Sequence, residues 1–86
     1  MSITPEQCRA ARGLLDWSQQ VLAECAGVGI VTIRQLEAES HLPRRATLAV
    51  VRGAFELAGV EFIDENGGGA GVRLRKPSGK GPKKTG

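Results

Sequence analysis

The sequence is poor in metal ligands. It holds two cysteines, Cys8 and Cys25, one histidine, His41, and no Cys-x-x-Cys pair. A zinc site needs more ligands than that, so no metal is expected. Both cysteines fall inside helical apolar patterns and are expected in the core as reduced thiols. No apolar run approaches the roughly 18 residues that a membrane-crossing helix requires. The opening "MSITPEQCRA" has neither a basic start nor an apolar stretch. No export signal is read there, and a cytoplasmic location is expected. The chain also lacks a nucleophile–base set and paired acids, and His41 stands in a loop beside Leu42-Pro43 without an evident partner. "NGGGAG" is rich in glycine but joins two strand-like segments. It therefore lacks the helix N-terminus that a phosphate cradle uses. No catalysis and no cofactor are expected.

Lysine is missing from a long stretch. From Met1 to Ile63 the positive charges are six arginines, set against seven acids, a balance of −1. From Asp64 onward six basic residues face two acids, a balance of +4. The overall charge of +3 is thus a property of the C-terminal end. A nucleic-acid binder usually carries its basic residues on the docking face, where phosphate neutralisation supplies non-specific affinity. The body of this chain does not have that signature.

What is present is a helical pattern with local punctuation. The 86 residues suffice for one small domain. Thr4-Pro5-Glu6-Gln7 reads as a helix start: a hydroxyl cap, proline at the first position, and a glutamine able to close a capping box. The first helix runs to about Leu15, with Cys8, Ala11 and Leu15 on one face. Ser18 caps a second helix over Gln19 to Ala26, which turns Leu22, Ala23 and Ala26 inward, and Trp17 can staple against Leu22. Gly27 suits the positive φ of a tight corner, and Val28 tucks that corner into the core.

A third helix spans about Gly29 to Ala38. Ile33 and Leu36 point inward, leaving Gly29, Ile30, Val31, Arg34 and Gln35 on outer faces. "ESHLPRRAT" reads as a loop holding Arg44 and Arg45, and Thr47 as the cap of a fourth helix that ends at Gly59. That helix carries a stripe of Leu48, Val51, Phe55 and Ala58, widened by Val50, Ala54 and Leu57. The surplus width suggests contact with the C-terminal segment or a second subunit. The period then changes to two. "VEFI" (Val60 to Ile63) and "GVRLRK" (Gly71 to Lys76) read as the strands of a hairpin, with Glu61 opposite Arg73 or Arg75. From Pro77, "PSGKGPKKTG" has the composition of a disordered basic tail, in which Lys80, Lys83 and Lys84 could reach phosphates weakly. The expected organisation is a helical domain with the first strand over 1–63, the hairpin loop and second strand over 64–76, and the tail over 77–86.

"WSQQVLAECAGVGIVTIRQLE" (Trp17 to Glu37) resembles the helix-turn-helix of phage-repressor-like regulators, the XRE/Cro-type family. Ser18-Gln19, Leu22-Ala23, Ala26-Gly27-Val28, Thr32-Ile33 and Leu36-Glu37 fall in the family's places, and the match extends from Gln7 to about Leu57. The resemblance implies a mainly α, four-helix (or five-helix) repressor-like domain, here with a C-terminal β-hairpin. It implies that Gln19 touches a phosphate and braces the third helix. It also implies that Arg12 and Glu37 form a partly buried ion pair tying helix 1 to the end of helix 3, a role read here as structural. Base reading in the family falls on Gly29, Ile30, Val31, Thr32, Arg34 and Gln35. Arg34 can reach guanine or a phosphate and Gln35 can pair with adenine, but Ile30 and Val31 offer only methyl contacts.

Two functions are expected. The first is a transcriptional regulator that binds operator DNA, as a repressor of a small operon or mobile element and as a possible homodimer. Arg44 and Arg45 would grip the backbone at the groove edge. The second is a fold of this kind repurposed as an antiactivator, which sequesters a transcription activator through the apolar face of helix 3 at Ile30 and Val31. The near-neutral body and the Ile-Val pair point to the second.

Overall fold

A computed structural model describes residues 3–64 and 67–75. The chain order is α1 (Pro5–Leu15), α2 (Gln19–Ala26), α3 (Ile30–Ala38), α4 (Arg45–Leu57), β1 (Val60–Ile63) and β2 (Gly71–Leu74). The fold is thus mainly helical, with four helices and a two-stranded antiparallel hairpin among the described residues. The expected tail over 77–86, Lys76 of the second strand, and two residues of the hairpin loop lie outside the described residues.

Local signals set the first three helices. Thr4 and Gln7 form a reciprocal capping box: the Gln7 amide donates to Thr4 Oγ1 and the Thr4 amide to Gln7 Oε1, both at 3.0 Å. Ser18 Oγ accepts from the Val21 amide at 3.1 Å and caps α2. Gly27 ends α2 at φ +72°, the left-handed conformation that glycine enters at little cost. Only three residues then separate α2 from α3, so the two helices turn sharply and pack against each other.

α4 departs from the expected start. It begins at Arg45, with Arg44 as N-cap and no side-chain cap, so Thr47 is inside the helix rather than at its mouth. Pro43 closes the preceding loop, and the backbone turns helical as soon as the stripe of Leu48 and Val51 can reach the core. Arg45 is accordingly a helical residue and not a loop residue.

The core joins Cys8 and Ala11 of α1, Leu22 and Ala23 of α2, Ile33 and Leu36 of α3, Leu48, Val51 and Phe55 of α4, and Val60 of β1. All three aromatic side chains of the protein stand in one row. Trp17 stacks on Phe55 with ring centroids 5.7 Å apart, and Phe55 meets Phe62 at 6.0 Å. Offset and tilted ring pairs at these separations add to the area they bury. Trp17 is thereby held against α4.

Some residues expected inside are outside. Cys25 is exposed while Cys8 is buried. Ala58, the C-cap of α4, is exposed; Leu57 and Val50, expected as surplus width for the C-terminal segment or a second subunit, lie open. Cys25 sits on the margin of its helical stripe and Ala58 lies just past the end of α4, where periodicity alone does not say how far the neighbouring element reaches.

The hairpin pairs Val60 with Leu74, Glu61 with Arg73, Phe62 with Val72 and Ile63 with Gly71. Arg73 Nε lies 2.6 Å from Glu61 Oε1, so of the two expected partners, Arg73 and Arg75, the register selects Arg73. A lone hairpin is marginal in water, and this one leans on α1 and α4. Gln7 ties it to α1: its buried amide donates to the carbonyls of Ile63 at 3.3 Å and Gly71 at 3.1 Å. Arg52 adds a cation–π contact, 4.8 Å from the Phe62 ring centre, and an ion pair with Asp64 at 3.5 Å.

Candidate docking face on the third helix

The end of α3 is anchored by one carboxylate. Glu37 is 6% exposed. Its oxygens accept from Arg12 Nε and Nη2, each at 2.7 Å, from Gln19 Nε2 at 3.0 Å, and from the Cys8 thiol at 3.1 Å. The guanidinium fork matches the carboxylate with two parallel bonds, the strong form of this pair. Arg12 Nη1 also donates to the Trp17 carbonyl at 3.0 Å, and Arg9 donates to the Glu37 carbonyl. One side chain of α3 is therefore held by α1 and by the first residue of α2.

Electrostatics agree with the geometry. Burial alone pushes the Glu37 carboxyl up, but the bonds from Arg12, Gln19 and Cys8, with the charge of Arg12, outweigh it and hold the group below its ordinary value. The hydrogen bond to Glu37 raises Arg12. Burial and then the neighbouring Glu37 push the Cys8 thiol upward, so it stays protonated and donates.

The outer side of α3 carries the expected docking residues unequally. Gly29 is exposed and caps α3 only with its backbone. The Gly29 carbonyl accepts from the Thr32 amide at 3.1 Å and from the Ile33 amide at 3.4 Å, so the first turn of α3 is closed by backbone alone. Val31 is 57% exposed. Ile30, expected on the outer face, is half-buried and packs against the core, because the corner folds it over the margin of the Ile33 stripe. Arg34 is exposed, while Thr32 and Gln35 are half-buried. Arg44 and Arg45 are exposed at the start of α4. Among the described residues Arg34, Arg44 and Arg45 form no ion pair. Gln19 is turned toward Glu37, so its amide braces α3.

Two contributors to the anchor are not legible in the sequence. Its apolar pattern places Cys8 in the core alone, and it gives Arg9 no role. Their partner lies 28 or 29 residues away, and no local pattern marks such a contact.

No protein-family model matches the sequence, and no curated protein matches it significantly. No helix among the described residues is long and apolar enough to cross a membrane, and those residues hold no cluster of three or more metal-ligating side chains.

Proposed function

We propose that the protein is a small helix-turn-helix regulator of transcription, of the phage-repressor-like kind, that lays α3 in the major groove of operator DNA and acts as a repressor. The supporting observation is an α3 clamped at its C-terminal end through Glu37 while Arg34 stands exposed and, among the described residues, without an ion pair. A rigid helix with an unpaired guanidinium suits base reading. Arg34 would take guanine or a phosphate, Gln35 an adenine, and Thr32 a phosphate. Val31 and the rim of Ile30 would meet thymine methyl groups. Arg44 and Arg45 would contact phosphates. In this reading the protein acts in the cytoplasm without catalysis or a cofactor. The test is titration of the protein against the DNA upstream of its own gene across a salt series. Sequence-specific binding with a steep salt slope is expected. Arg34→Ala should cost about 1–3 kcal/mol of discrimination at one base pair. Equal affinity for upstream and unrelated DNA overturns the reading.

One observation favours a second function. Val31, at the open end of α3, is 57% exposed, and residues 1–63 carry a balance of −1, an apolar tip on a body with little pull on phosphate. An antiactivator would use that tip to occupy a transcription activator. Binding to an activator that survives Arg34→Ala and is lost with Val31→Asp supports this function over the first.

A further inference from the structure

The outer face of α3 changes its chemistry within one turn. Val31 and Arg34 stand three residues apart in the helix, so they share a face. Both are exposed. Arg34 carries a guanidinium fork, whereas Val31 carries only methyl groups. No neighbour of Val31 compensates. Gly29 has no side chain, Ile30 is half-buried against the core, and Thr32 is half-buried and turned about 100° around the helix.

The monomer does not require glycine at position 29. Its φ of −73° is open to any residue, and among the described residues nothing lies within 4 Å of the place a Cβ would take. A serine or aspartate there would cap α3. A bare backbone beside Val31 instead leaves room for a surface to come close.

In the major groove, the apolar feature that a valine can meet is the C5-methyl group of thymine. Cytosine has hydrogen at that carbon. Methylation at C5 gives cytosine the same group in the same place and leaves its base pairing intact. A valine therefore treats thymine and 5-methylcytosine alike and separates both from cytosine. Three helical residues rise about 4.5 Å, close to the roughly 3.4 Å between stacked base pairs, so Val31 and Arg34 suit neighbouring pairs.

Resting on the reading of α3 as a base-reading helix, we propose that Val31 recognises the C5-methyl group of a pyrimidine beside the guanine taken by Arg34, so that cytosine C5 methylation at that step strengthens binding. The test uses a duplex selected by the full chain from random DNA, titrated by fluorescence anisotropy at fixed salt. Each thymine is replaced in turn by uracil, and cytosine or 5-methylcytosine is then placed at the sensitive position. Uracil should weaken binding about fourfold at one position next to a guanine, the worth of one buried methyl group. At that position 5-methylcytosine should bind about fourfold tighter than cytosine. Val31→Ala should bring both ratios close to one, with its circular dichroism matching the wild type because the side chain is exposed. Sequence-specific binding indifferent to uracil and to 5-methylcytosine overturns the proposal and leaves the regulator reading in place. Ratios that persist in Val31→Ala overturn the assignment to Val31. Binding without sequence preference overturns the regulator reading and this proposal together.

Discussion

Replacing Glu37 with glutamine tests the anchor on which α3 depends. The substitution keeps the shape and an acceptor for Gln19, but removes the charge opposite Arg12 and turns a donor toward the guanidinium. Breaking a buried pair from one side costs about 3–5 kcal/mol, because the surviving charge is left without compensation. Arg12 retains the Trp17 carbonyl at 3.0 Å, and its side chain is 21% exposed, so water can reach it in part. The low end, about 3 kcal/mol, is therefore expected. With a urea dependence of about 1 kcal/mol per molar for so small a protein, the midpoint should fall by about 3 M. A loss below about 1 kcal/mol, the worth of an exposed ion pair, would refute the reasoning. The pH profile checks it independently. Above the ordinary carboxyl value of 4.5, Glu37 is charged in both folded and unfolded chains, and its contribution is complete. Below that value the unfolded chain takes up the proton first, so stability declines and the contribution is gone once pH has dropped through the lower folded value. Glu37→Gln should flatten that part of the acid-unfolding curve.

Other parts of the fold give further expected outcomes. Phe55 is fully buried at the centre of the aromatic row, so Phe55→Ala should lose about 3–5 kcal/mol by thermal or urea unfolding. Gly27 has φ +72°, and among the described residues nothing lies within 4 Å of the place an alanine Cβ would take. Gly27→Ala should therefore cost about 1–2 kcal/mol in the same unfolding assay, from backbone conformation alone. Glu39 ends α3 at φ +59°, and its ion pair with Arg9 is long at 4.0 Å; Glu39→Gly should stabilise the protein by about 1 kcal/mol. Cys25 should react with a thiol reagent in the native state, while Cys8, buried and protonated, should react only on unfolding.

The elements are legible where their causes lie within a few residues. The Thr4–Gln7 box, the Ser18 cap, the glycine corner at Gly27 and the inward pair Ile33 and Leu36 can all be read from spacing, whereas spacing leaves Glu61 opposite Arg73 or Arg75 and the register selects Arg73. Arg12 and Glu37 come together as a pair only through resemblance to a family, since nothing local joins positions 25 residues apart. The start of α4 is not legible, because Thr47 offers a capping hydroxyl while Arg44, the actual N-cap, has no capping side chain to mark it. Packing of the stripe, not side-chain capping, settles it.

By itself the sequence determined the periods, the breaks between helices and the change to strands, since a backbone hydrogen bond or a helical face is decided over about four to seven residues. Only the tertiary structure decided which margins are covered: that Ile30 folds onto the core while Val31 stays open, that Cys25 and Leu57 face outward, and that Gln7 reaches the hairpin. Those outcomes depend on how closely elements distant in the chain approach one another, and that distance is set by the whole packed core rather than by any local run of residues.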